Sequence, residues 1–243
     1  MLPATRWPNF VPGLCRPAYL IALCASLLSF APPSEATAVS DCDATTCTFD
    51  IGGGWEVDVL KSFVDLDLVD VFQTALNPGT SVEITKVAEF LVNNTLILTF
   101  NQVAADAVPT IIINQESVTN STNLGPNPAT PWSGFEFELL LGNVTFDSAA
   151  SAGFDVTPFD TLAFSLGDTK ATASGGGSVP VGGVWTPGLL GGNLVISTTP
   201  NAVEPFLTFN LKETPVPVPE PASGALLGLG LVGLALAVRR TRG

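Results

Sequence analysis

The chain has 243 residues, with 22 acids against nine lysines and arginines and no histidine, for a formal charge of −13. So acidic a balance speaks against binding nucleic acid or anionic lipid through charge. The missing histidine excludes Ser-His-Asp and Cys-His nucleophile systems.

Arg6 and Arg16 precede an apolar stretch from Tyr19 to Phe30, and Ala36-Thr37-Ala38 follows as an A-x-A site. That order predicts a secretory signal peptide over residues 1–38. Residues 39–214 are then expected to form one exported domain with a real core. All the acids except Glu35 and Glu220 fall within it, opposed by Lys61, Lys86, Lys170 and Lys212 alone. Cys42 and Cys47 remain after the leader and form a C-x4-C candidate disulfide for an oxidising compartment. Two thiols without histidine do not make a zinc site, and no metal site is assigned.

The texture of residues 39–214 predicts an all-β domain. Gly52-Gly53-Gly54 reads as a turn between Thr48–Ile51 and Trp55–Leu60, and Trp55, Val57 and Val59 alternate with Glu56 and Asp58. From Phe63 to Phe72 the alternation slips by one place near Val69, which predicts a bulge. Asn77-Pro78-Gly79 is a turn. The runs 82–92 and 95–102 read as a hairpin joined at Asn93-Asn94. The run 110–118 reads as a strand with Ile111, Ile112 and Ile113 buried on both sides. Residues 120–131 read as a surface crossing. In 135–141, Phe135, Phe137 and Leu139 face in while Glu136 and Glu138 face out. Shorter candidates follow at 144–146 and 161–166. Residues 174–183 are expected to be a flexible Gly-rich loop. The runs 194–198 and 206–211 finish the domain. About ten short strands favour an antiparallel two-sheet β-sandwich, jelly-roll-like. A parallel β-helix is the alternative, disfavoured by the lack of a fixed repeat.

Few residues suggest chemistry. Asp58, Asp65, Asp67 and Asp70 are candidate calcium ligands, with Asp41 and Asp43 a weaker pair, but no D-x-D-x-D-G loop is present. Period-two acids are equally what a solvated strand face looks like. Glu136 and Glu138, about 6.5–7 Å apart by strand rise, have the separation of an inverting glycosidase pair, as does any E-x-E on a strand. Trp132 and Trp185 sit beside Pro and Gly and are candidate sugar-stacking residues. No organic cofactor is implied.

The C-terminus has three parts in fixed order. A Pro-rich approach carries Pro219, Glu220 and Pro221. An uncharged run extends from Ala222 to Val238, and a basic stop follows at Arg239, Arg240 and Arg242. As a helix the run spans about 26 Å, slightly less than a bilayer core of about 30 Å. The arginines place its far end in the cytoplasm. Residues 215–243 therefore predict one transmembrane helix behind an exported domain. They resemble the PEP-CTERM sorting signal of exported bacterial proteins. The resemblance implies recognition and cleavage near Pro219-Glu220-Pro221 by a membrane-embedded exosortase. It also implies transient residence in the inner membrane and a bacterium that makes exopolysaccharide. The expected function is a non-enzymatic protein of the cell surface or extracellular (biofilm) matrix. The alternatives are a carbohydrate-binding module and, behind it, a secreted glycoside hydrolase.

Overall fold

The computed structural model describes residues 39–42, 46–60, 66–124 and 129–219. The predicted leader, Asp43, Asp65, Glu220, Pro221, the apolar run and Arg239, Arg240 and Arg242 lie outside the described residues.

Period-two alternation builds the strands. In chain order they are β1 (Val39–Cys42), β2 (Thr46–Gly52), β3 (Trp55–Leu60), β4 (Leu66–Asn77), β5 (Ser81–Phe90), β6 (Leu96–Gln102) and β7 (Thr110–Asn120). There follow β8 (Trp132–Leu140), β9 (Thr145–Phe146), β10 (Thr161–Ser165), β11 (Lys170–Val179), β12 (Val184–Trp185), β13 (Leu194–Ser197) and β14 (Thr208–Pro217). They form two sheets. The eight-stranded sheet has the order β1-β2-β3-β6-β14-β8-β11-β10. The six-stranded sheet has the order β4-β5-β7-β13-β9, with β12 paired to β7. Inward residues of both sheets share one core, in which Phe49, Trp55, Val57, Phe100, Phe135, Phe137 and Phe209 from the first meet Val82, Ile84, Phe90, Ile111 and Ile196 from the second. The architecture is an all-β sandwich, as the sequence predicts.

Several local expectations hold. The register of β4 against β5 shifts between Leu66 and Val69, where the alternation of the sequence slips. Asn77-Pro78-Gly79 turns the chain, with Thr80 N–H donating to Asn77 O at 3.0 Å. Strand β8 buries Phe135, Phe137 and Leu139 and leaves Glu136 and Glu138 outward.

Others are corrected. Asn93-Asn94 is not a hairpin: β5 lies in the six-stranded sheet and β6 in the eight-stranded one, so this turn carries the chain between sheets. Asn93 anchors the crossing through its side chain, accepting from Trp132 Nε1 at 2.8 Å and donating to Thr130 Oγ1 at 2.9 Å. With β6 gone to the other sheet, β5 pairs with β7, and that pair is parallel. Ile111 and Ile113 are buried but Ile112 is only half-buried, because β7 alternates normally here. The Gly-rich stretch is strand as far as Val179, and only residues 180–183 form a turn. Gly175 and Gly176, at φ 81° and 63°, form an irregularity within β11 that only glycine adopts easily. Gly177 N–H donates to Pro158 O at 2.8 Å and fixes it.

Strand β14 also outruns its predicted end at 211 and passes through Pro215 to Pro217. Past Glu213 it pairs with β8 alone. Val218 N–H donates to Pro131 O at 2.8 Å, so even-numbered residues here point their N–H at β8. Pro215 and Pro217 therefore lack donors only on the side where no strand is paired, the position that sheets allow to proline. Regular structure runs to within two residues of Pro219, which is exposed.

Candidate functional site

Three strands place ionisable side chains where their alternation demands apolar ones. On β5 the inward face reads Val82, Ile84, Lys86, Ala88, Phe90. On β14 it reads Phe209, Leu211, Glu213. On β7 an irregularity at 114–115 shifts the phase, so that Glu116 and Val118 follow Ile111 and Ile113 inward. Lys86 and Glu116 are register partners in the parallel pair. Glu213 comes from the opposite sheet, between Leu96 of β6 and Phe137 of β8. The three are 1%, 0% and 0% exposed.

Lys86 Nζ donates to Glu213 Oε2 in direct contact. It lies 3.2 Å from Glu116 Oε2, within ion-pair reach but off the hydrogen-bond direction. Both Glu116 oxygens and Glu213 Oε1 are buried without a hydrogen-bond partner. Such orphan acceptors are uncommon in folded interiors and costly. Burial, and then the Glu213 charge, push the Glu116 carboxyl up to about 8. Burial also raises Glu213, against the pull of Lys86. Burial alone would lower Lys86, but the two carboxylates outweigh it and hold its ammonium above the ordinary value. At neutral pH Glu116 therefore keeps its proton beside the Lys86 ammonium.

The sequence contained the sign of this site: Lys86 and Glu213 fall in step with apolar neighbours two residues away. Reading lysine and glutamate as surface residues by type hides it, and the phase shift in β7 hides Glu116 further.

The residues singled out by sequence lie elsewhere. Trp132 and Trp185 are buried, at 0% and 1% exposure, and neither offers a face to a sugar. Trp132 packs on Phe90 and Phe135, and Trp185 on Phe135, Phe137 and Phe159. Their indole N–H groups are used by Asn93 Oδ1 and by Val156 O, the latter at 3.2 Å. The neighbouring Pro and Gly mark their strand ends, which the core covers. Glu136 and Glu138 face outward and are each tied to a lysine of an adjacent strand: Glu136 to Lys170 at 2.9 Å and Glu138 to Lys212 at 3.0 Å. They serve as rungs of a charge ladder across β11, β8 and β14.

The Asp series is divided between sheets. Asp58 on β3 accepts from Thr48 Oγ1 at 2.6 Å and Asn101 Nδ2 at 2.7 Å, while Asp70 is on β4 of the other sheet. Among the described residues no group of three or more His, Cys, Asp or Glu could hold a metal. Asp41 lies on β1. Cys42 is the register partner of Cys47, and Cys47 is disulfide-bonded.

Residues 217–240 match the family model of the PEP-CTERM protein-sorting motif. The chain therefore carries the mark of an exported exosortase substrate that is sorted at a membrane. No curated protein and no solved structure matches the chain.

Proposed function

We propose that the protein is a non-enzymatic component of the bacterial cell surface or extracellular matrix. It is exported by its leader, held briefly in the inner membrane by its C-terminal helix, and released or transferred when an exosortase cuts near Pro219-Glu220-Pro221. The observation that carries this reading is the position of the sorting motif: the matched residues begin at Pro217, the last residue of β14. The sandwich is thus the cargo, and nearly no linker separates it from its address. Its charge suits a hydrated, cation-rich matrix such as exopolysaccharide. The outward ladder of Glu136, Glu138, Lys170 and Lys212 suits a solvated wall. A carbohydrate-binding role through Trp132 and Trp185 has lost its carriers, since both rings are interior. A hydrolase built on Glu136 and Glu138 has two carboxylates already matched with lysines.

Cell fractionation tests this. In the producing bacterium, wild-type protein is expected outside the inner membrane. A Pro219→Ala/Glu220→Ala/Pro221→Ala variant is expected to accumulate there as a longer species. Equal distribution and equal size of the two forms would remove the sorting role. Hydrolysis of a matrix polysaccharide by the purified protein would remove the non-enzymatic reading.

A further inference from the structure

We propose that Lys86 and Glu213 condense into an intramolecular amide that joins the two sheets, with Glu116 carrying the protons. The reacting groups are already in contact: Lys86 Nζ touches Glu213 Oε2, and Glu116 Oε2 stands 3.2 Å from the same nitrogen. All three are sealed from water.

The arrangement is poor as a permanent ion cluster. It strands three carboxyl oxygens without hydrogen bonds, and burying charge costs more than pairing often returns. It is well composed as a reactant complex. In water an amine and a carboxylic acid sit about six pK units on the wrong side of the ion pair. Burial narrows that gap from the acid side by raising Glu213, while the two carboxylates still hold the Lys86 ammonium above its ordinary value, so the neutral pair is a minor form that contact keeps ready to react. Holding them together removes the entropy of encounter. A third carboxyl that keeps its proton at neutral pH stands beside the nitrogen to act as acid and base.

The step balances without oxidant, reductant or co-substrate. A proton passes from the Lys86 ammonium to the Glu213 carboxylate, leaving an amine and a carboxylic acid. The Nζ lone pair attacks Glu213 Cδ, and the carbonyl π pair moves onto its oxygen. Glu116 gives that oxygen the proton from one of its own oxygens and takes a proton from Nζ on the other. In the second half it protonates one hydroxyl of the tetrahedral carbon and recovers the proton of the remaining one. The C–O bond breaks, water leaves, and an amide stands where two charges were. Glu116 ends as it began, beside a new N–H and a new C=O that can partner its orphan oxygens.

The link would join β5 to β14 across 127 residues of chain. Strand β14 is the one that runs into the sorting motif, so the amide would bind the tail-bearing strand to the opposite sheet.

Peptide mapping of the full chain purified from cells tests this. The expected result is one branched peptide carrying both Lys86 and Glu213, lighter by one water than its two parts, with no tryptic cut after Lys86. Lys86→Arg and Glu116→Gln variants are expected to yield only linear peptides. Linear Lys86 and Glu213 peptides from folded wild-type protein would overturn the proposal, as would an amide to Glu116 instead. Full branching in Glu116→Gln would overturn the proton-carrying role. The wild-type map decides the bond however either variant folds.

Discussion

Replacing Lys86 with methionine is expected to lower the unfolding free energy by at least about 3–5 kcal/mol, the usual cost of breaking a buried charge cluster by removing one partner. The side chain is of similar length and apolar, so the loss comes from the carboxyls left behind and not from a cavity. Three carboxyl oxygens already lack hydrogen bonds, and Glu213 Oε2 would join them. The loss is expected to grow with pH, because Lys86 pulls both carboxyls down and its removal raises them further above their unfolded values. Glu116 has its folded value raised from 4.5 to about 8. Between those values the fold keeps a proton that the unfolded chain has released, so this carboxyl's contribution is present below the lower value and lost as pH rises through the upper one. Glu213, raised by burial, acts in the same direction in the variant, where no Lys86 amine is present to bind it. Denaturant titration of both proteins in mildly acidic and mildly alkaline buffer checks this. A variant as stable as wild type, or one hurt most in acid, would contradict it. Changing Glu116 and Glu213 to leucine as well is expected to return the part of the loss that stranded carboxyls cause, since apolar residues of similar volume often replace buried ion clusters without penalty.

The second large effect is expected at the tryptophans. Trp185→Ala removes a fully buried ring lodged among Phe135, Phe137 and Phe159 and should cost about 3–5 kcal/mol. Trp132→Ala removes the partner of Phe90 and Phe135. It also frees Asn93 Oδ1, which adds about 1–3 kcal/mol if that oxygen finds no new donor. A fall in melting temperature checks both variants. Unchanged stability with altered glycan retention would be the signature of exposed sugar-stacking rings and would contradict the burial.

How much of this was legible in the chain depended on whether the signal was local. Phe135, Phe137 and Leu139 against Glu136 and Glu138 defined the two faces of β8, because a half-buried strand writes its faces directly into the sequence, but not its start at Trp132. The bulge in β4 was legible for the same reason: a slip in a period of two has no other economical reading. Pairing was not local. Asn93-Asn94 has hairpin chemistry, yet β6 pairs with β3 and β14, strands that lie far from that turn in the sequence. The parallel pairing of β5 with β7 follows from that crossing and leaves no mark in either strand alone. Gly175-Gly176-Gly177 looked flexible because composition reports freedom in the unfolded chain, while Pro158 pins the backbone in the folded one.

The triad was missed for a different reason. Its faces were readable, but residue type overrode position. A lysine between Ile84 and Ala88 on an inward face, and a glutamate two residues past Leu211, should count as interior when the alternation is otherwise clean. The tail was the converse case. Order and composition gave a membrane-spanning tail, its resemblance to PEP-CTERM made it a sorting signal, and the match over residues 217–240 agrees. What only the structure adds is that β14 reaches Pro217, so cargo and sorting motif share a residue.

Mass spectrometry of the mature protein from the bacterium that makes it reaches the central claim most directly. A polypeptide starting near Val39 and ending near Pro219–Pro221, without the apolar run 222–238 or Arg239, Arg240 and Arg242, is the expected product. A final product that keeps residues 222–243 would contradict the account and make the tail a permanent anchor.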